Sequence, residues 1–158
     1  MLSPENQAIV RRHLEAENQH RMEETLATLT EDCVFEDRAL GRTYHGREGA
    51  RAYYRLWWDA FGVTVMPSGA RHVTTDGVLI SEAGYRGAHR GEFLGIPPTG
   101  RDIELRFVVF VTFRDGLMSG ERFYYDLTGL LRQLGVTTIP SLDEENHKDT
   151  KRTEDPQS

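Results

Sequence analysis

The sequence predicts an α+β domain in which helices come first and a mainly antiparallel sheet follows. Three observations carry this. Apolar residues recur at helical spacing through the first sixty or so positions, alternating apolar strands occupy the stretch from Val63 to Tyr125, and Asp76-Gly77 and Arg114-Asp115-Gly116 stand between strands as hairpin turns. A chain of 158 residues, 38% hydrophobic and 28% charged, is long enough for one domain to bury a core. We place that domain at residues 1–140 and a charged tail at 141–158.

Ser3, Pro4 and Glu5 supply an N-cap, a first-turn proline and an acid beside the helix dipole, and Ile9, Val10 and Leu14 then share one face. The first helix therefore runs to about Asn18. Met22, Leu26 and Leu29 mark a short second helix, and Cys33-Val34-Phe35 reads as a brief strand before a turn around Gly41. From about Glu48 to Phe61, the residues Ala50, Tyr53, Tyr54, Trp57 and Phe61 fall at i, i+3, i+4, i+7 and i+11, a wide aromatic stripe of the kind that usually packs in a core. Trp57 and Trp58 are adjacent, so they face differently.

Strands follow from Val63 to Thr74 and from Val78 to about His89. Gly84, Gly87, Gly91 and Gly95 point to a bent or bulged strand that leads into a loop, and Gly95-Ile96-Pro97-Pro98-Thr99-Gly100 to a rigid turn. In Ile103 to Phe113 every odd position is apolar, and Leu117 to Tyr125 returns antiparallel. Leu127, Leu130, Leu131 and Leu134 form a last helix that Gly135 ends, with Asp126 at its entrance. From Ser141 onward apolar residues almost vanish, which predicts a disordered tail.

Charge excludes several functions. Acidic residues number 25 and basic ones 19, a net charge of -6, so no Lys/Arg-rich face is expected and nucleic acid is not an expected partner. Both lysines, Lys148 and Lys151, lie in the tail, which excludes Schiff-base chemistry in the core. One cysteine, Cys33, cannot form an intramolecular disulfide, and the sequence shows neither a signal pattern nor an apolar run long enough for a membrane span. A cytoplasmic protein with no membrane partner is the expectation.

The nucleophile elbow, the P-loop, the dinucleotide glycine motif, H-E-x-x-H and C-x-x-C are all missing, and no arginine stands two residues before an aspartate as a small epoxide hydrolase of this size would need. Neither metal nor cofactor is expected. What remains is acid and base work by side chains in an apolar cavity. Asp126 ends a strand whose alternation places Arg122, Tyr124 and Asp126 on one face; it can serve as a partly desolvated base or as the N-cap of the last helix. His89 can reach a pocket mouth or sit satisfied in the core, Glu82 can face cavity or solvent, and Arg106 and Arg122 can pair with Glu104 or Glu121 across the hairpin.

The stretch from Gly87-Ala88-His89-Arg90-Gly91-Glu92-Phe93-Leu94-Gly95-Ile96-Pro97-Pro98 through Arg114-Asp115-Gly116 to Tyr125-Asp126-Leu127-Thr128-Gly129-Leu130-Leu131-Arg132-Gln133-Leu134-Gly135 resembles the SnoaL-like polyketide cyclases of the nuclear transport factor 2-like superfamily. Tyr44-His45-Gly46-Arg47-Glu48-Gly49 adds to it, so the resemblance covers about residues 5 to 137. It departs where cyclases commonly carry a histidine and tryptophan pair, a place held here by Glu121-Arg122.

The resemblance implies a cone: a curved, mainly antiparallel sheet around a cavity closed by N-terminal helices, usually assembled as a dimer or tetramer through its outer face, with a homodimer expected here. It implies cofactor-free aldol closure of a polyketide-like ester or another small hydrophobic carbonyl compound, with Asp126 as base and Tyr124, His89 and Arg122 as donors. Tyr53, Trp57, Glu82 and Phe107 are the expected substrate contacts. An isomerase, a hydratase or a non-catalytic binding module on the same scaffold is the alternative. Val108 and Phe110, on the face opposite the odd-numbered apolar set, supply independent support for the dimer.

Overall fold

The computed structural model describes residues 1–138, so the tail at 141–158 lies outside the described residues. Helix α1 (Pro4–Asn18) is capped by the Ser3 side chain, which accepts from the Asn6 amide, with proline in its first turn. Helix α2 (Met22–Ala27) is shorter than its apolar spacing predicts. Leu29 belongs instead to strand β1 (Leu29–Asp37), which extends the expected Cys33–Phe35 segment in both directions. Strand β2 (Arg42–His45), absent from the sequence reading, pairs with β1 across the Gly41 turn.

Helix α3 (Gly46–Phe61) is the expected aromatic helix, ended by Gly62 in the left-handed conformation with its amide donating to the Trp58 carbonyl. Four strands then follow: β3 (Thr64–Val73), β4 (Leu79–Ala88), β5 (Asp102–Arg114) and β6 (Leu117–Tyr125). A short helix α4 (Leu127–Gln133) closes the described chain. The sheet order is β2-β1-β6-β5-β4-β3, antiparallel throughout except where β1 meets β6.

Helices α1 and α3 cover the concave face of this sheet. Tyr53, Tyr54, Trp57 and Phe61 are buried, and Trp57 packs against Phe61, Tyr85, Phe93 and Tyr125. Each such side chain contributes roughly 1.5–3 kcal/mol by leaving water, so this cluster fastens α3 to the sheet. The glycines of the β4 region do not mark a bulge there, because β4 and β5 pair in unbroken register from Leu79 to Ala88. Gly87 and Gly91 serve close approach instead: a Cβ on either would overlap the carbonyl oxygen of Phe61 or Asp59. The Arg90 and Gly91 amides thereby reach the Ala60 carbonyl and satisfy the C-terminal end of α3.

Candidate functional site

A cavity of about 270 Å³ lies between α1 and the concave face of the sheet. Its walls are mostly apolar, with Val10 and Leu14 from α1, Leu79 from β4 and Phe107, Val109 and Val111 from β5. Among the residues that line it, His13, Glu17 and Glu121 are buried in this apolar setting, exposed by only 2%, 6% and 9%. His13 and Glu17 are one helical turn apart on α1 and continue the face begun by Val10 and Leu14. Glu121 comes from β6, where the alternation turns Glu121 and Phe123 inward and Arg122 and Tyr124 outward.

The hydrogen bonds assign the His13 tautomer. The Thr28 hydroxyl donates its proton to the Thr25 carbonyl at 2.6 Å, so it must accept from His13 Nδ1, also at 2.6 Å. Nε2 is then the acceptor for the Tyr54 hydroxyl at 2.9 Å. Burial lowers the His13 pKa from 6.5 to about 4, which agrees with a neutral ring. Its Nε2 contacts to Glu17 at 3.6 Å and Glu121 at 3.7 Å are therefore not ion pairs at neutral pH.

Burial raises Glu17 from 4.5 to about 7, against the opposing effect of the Tyr85 hydroxyl, which donates to its Oε1 at 3.2 Å. Glu121 is raised well above the carboxylate range by burial first and by the charge of Glu17 second. Two carboxyl groups facing one apolar space cannot both ionise cheaply, so the pair holds a proton near neutrality. An ionised and a protonated carboxyl side by side form a base and an acid in one cavity. Tyr54 and Tyr85, pushed further above their ordinary range by burial, stay protonated and act as donors.

The residues expected from sequence are placed differently. Asp126 is exposed and caps α4, accepting from the Gly129 amide at 2.8 Å; it is not among the cavity residues. Arg122 and Tyr124 do share its face, but that face is the convex one, where Arg122 lies 4.7 Å from the centre of the Phe110 ring. The alternation was legible and its inward side was not. Arg122 stands 4.0 Å from Glu36, and Arg106 pairs with Glu104 at 3.9 Å, so Glu121 is left free of the cross-hairpin arginines.

His89 is fully buried and not among the cavity residues, accepting from the Thr99 amide on Nδ1 at 3.2 Å and packing at a tilt against Phe61. It orders the Gly95–Gly100 turn rather than a pocket mouth. Of the expected substrate contacts, Phe107 and Glu82 do line the cavity. Tyr53 and Trp57 do not: the Tyr53 hydroxyl donates to Asp37 at 2.8 Å and Trp57 fills the aromatic cluster. His13, Glu17 and Glu121 were missed. The available signal was a histidine and a glutamate inside the apolar stripe of α1 and a glutamate in phase with Phe123.

This geometry, a curved, mainly antiparallel sheet under N-terminal helices with an apolar cavity between them, defines a cone-shaped α+β fold. A profile of the SnoaL-like polyketide cyclase family matches residues 7–134, and the chain belongs to that family. Similar solved structures include a candidate SnoaL-like polyketide cyclase from Jannaschia sp. CCS1, at 22% identity and TM-score 0.75, covering 87% of this chain and 99% of that one. TsrD from Streptomyces laurentii is 25% identical with TM-score 0.72, covering 87% of this chain and 100% of that one. IdmH from Streptomyces antibioticus, described as a candidate polyketide cyclase, is 25% identical with TM-score 0.68, covering 83% and 99%. No curated protein matches the chain. Among the described residues no helix is long and apolar enough to cross a membrane.

Proposed function

We propose that this protein moves protons at carbon in a small apolar carbonyl compound, a chemistry of cyclase or isomerase type, with Glu17 as base and Glu121 as acid. The observation that carries the reading is the burial of two carboxyl groups in one apolar cavity, both within 3.7 Å of His13 Nε2 and both raised above their ordinary range by burial. Family membership supports the reaction class. Glu17 takes precedence over Asp126 because the Asp126 carboxylate is exposed and committed to Gly129.

In an intramolecular aldol closure, the Glu17 carboxylate removes a proton from the carbon beside a carbonyl, and protonated Glu121 donates a hydrogen bond to developing negative charge. The enolate carbon bonds to a second carbonyl carbon of the same molecule. The alkoxide so formed takes the Glu121 proton, and the proton on Glu17 passes to Glu121 to restore the starting pair. An isomerisation uses the same two groups, with return of the proton to a different carbon.

The volume limits the substrate. At about 270 Å³ the cavity exceeds the roughly 150 Å³ that accepts benzene and falls just below the range of about 300–1,000 Å³ for drug-sized ligands. A two-ring compound fits this window. The test is exchange of the α-protons of 2-tetralone in deuterium oxide, followed by proton NMR. Glu17→Gln and Glu121→Gln should each slow the catalysed exchange by about 10²–10⁴-fold, whereas equal rates in wild type and both variants would refute the proposal.

A further inference from the structure

Among the residues that line the cavity, Arg71 is the one permanent cation. It lies on β3 directly opposite Ser81 of β4, and the next pair on the same face is Val73 with Leu79. Directly opposed residues share a face, and Ser81 and Leu79 both line the cavity, so Arg71 belongs to the concave side. The register of β3 shifts between Pro67 and Arg71: four steps along β3 match two along β4, from Ala83 to Ser81. Gly69, with φ of 99°, lies within that bulge. Without the two extra residues Arg71 would stand opposite Leu79 instead of Ser81. The bulge therefore decides which inward-facing pair of the β3–β4 ladder carries the guanidinium.

Arg71 is exposed and joins none of the ion pairs found among the described residues, whereas Arg21, Arg51, Arg86 and Arg114 each meet a carboxylate. Asn18, also exposed and also among the lining residues, accepts from the Val65 amide with its carbonyl oxygen, further along β3. The interior, by contrast, holds Glu17 and Glu121 and no positive charge at neutral pH. An anionic molecule would be repelled by such a cavity except at Arg71. A neutral molecule would have no use for it.

We infer that the substrate is a small carbon acid bearing a carboxylate, which Arg71 binds at the mouth while the carbonyl end reaches Glu17 and Glu121. This rests on the acid/base reading of the same cavity. The guanidinium offers two parallel N–H donors to a carboxylate and so sets orientation as well as affinity. The apolar body of the substrate then lies along Phe107, Val109 and Leu79, with the reacting carbon inward.

Two aromatic probes separate the contributions: 2-naphthol presents a hydroxyl that imitates an enol, and 6-hydroxy-2-naphthoate adds a carboxylate at the far end. Calorimetric titration of the full chain at pH 8, where Glu17 is ionised, should show the carboxylated probe binding at least about fivefold more tightly than 2-naphthol. Arg71→Met should reduce that ratio to one or below, while Arg12→Met, on the exposed side of α1, should keep the wild-type ratio. A ratio unaffected by Arg71→Met, or a wild-type preference for 2-naphthol, overturns the assignment. Failure of both probes to bind wild type at millimolar concentration overturns it as well. If the ratio falls as expected but 2-naphthol binds equally to Glu17→Gln, Glu121→Gln and wild type, the Arg71 assignment stands and the acid/base reading fails.

Discussion

Tyr85 of β4 donates its hydroxyl to Glu17 Oε1 of α1 at 3.2 Å, joining the sheet to the helix that closes it across 68 residues of sequence. The bond favours the ionised carboxylate, and burial, the larger effect, favours the neutral acid. The balance leaves a group that can accept and return a proton near pH 7. His13, held by Thr28 and Tyr54, is part of the same wall but stays neutral.

The stability of the protein should fall as pH rises toward and past neutrality. Glu17 titrates at about 4.5 when unfolded and about 7 when folded, so within that window the native state holds a proton the unfolded chain has released. Glu121 acts in the same direction. His13 opposes them, because its fall from 6.5 to about 4 contributes stability that is present above 6.5 and lost as pH falls through about 4. Above pH 6.5 only the carboxyl groups of this cluster still titrate, so the decline is steepest there, and Glu17 accounts for about 3 kcal/mol over its window. Urea unfolding from pH 5 to pH 8 should show this decline, and Glu17→Gln should flatten it; a midpoint that climbs through the range would contradict it.

Asp126 and the inward glutamates should separate cleanly by readout. Asp126→Ala removes the cap of α4 and should cost about 1 kcal/mol of stability, with α-proton exchange from 2-tetralone unchanged at temperatures where the variant is folded. Glu121→Gln should abolish most exchange with little loss of fold, since the buried amide has nearly the same shape. Exchange lost in Asp126→Ala and retained in Glu121→Gln would reverse the roles.

Gly91→Ala should destabilise the protein by several kcal/mol, on the order of 3. Its Cβ would overlap the Asp59 carbonyl oxygen, a backbone atom that cannot rotate away. Gly100→Ala is the control: nothing lies within 4 Å of a Cβ there, and the cost is confined to its φ of 71°. Thermal unfolding of the two variants should rank Gly91→Ala well below Gly100→Ala, and equal midpoints would remove close packing as the reason for Gly91.

Self-association is expected through the convex face of the sheet. Val108 and Phe110 are only partly covered there and Tyr124 is 43% exposed, with Arg122 laid over the Phe110 ring. A second copy would cover this apolar patch. Sedimentation at micromolar concentration should give a dimer of the 18.0 kDa chain, and Phe110→Glu should give a monomer with the same circular dichroism. A wild-type monomer would end the proposal.

Much of the fold was legible because it depends on local pattern. The N-cap at Ser3, the bounds of α1, the aromatic stripe of α3 and the span of β6 all follow from residue type and spacing. β2 was not, since four residues beside a turn carry too little alternation to stand out. The end of α2 was misplaced because Leu29 suits a helix and a strand alike, and its pairing with Met118 of β6 decides for the strand.

The site divides in the same way. The sequence by itself determined the order of elements, the two hairpins, the alternation that groups Arg122, Tyr124 and Asp126, and the resemblance to its family, because each is written in neighbouring residues. Only the tertiary structure decided which of the two faces of β6 looks inward. Phe123 and Tyr125 compete with Tyr124 for that choice, and alternation sorts residues into two sets without telling them apart. The same packing brought His13 and Glu17 against Glu121, groups more than a hundred residues apart whose altered pKa values exist only once water has been excluded around them.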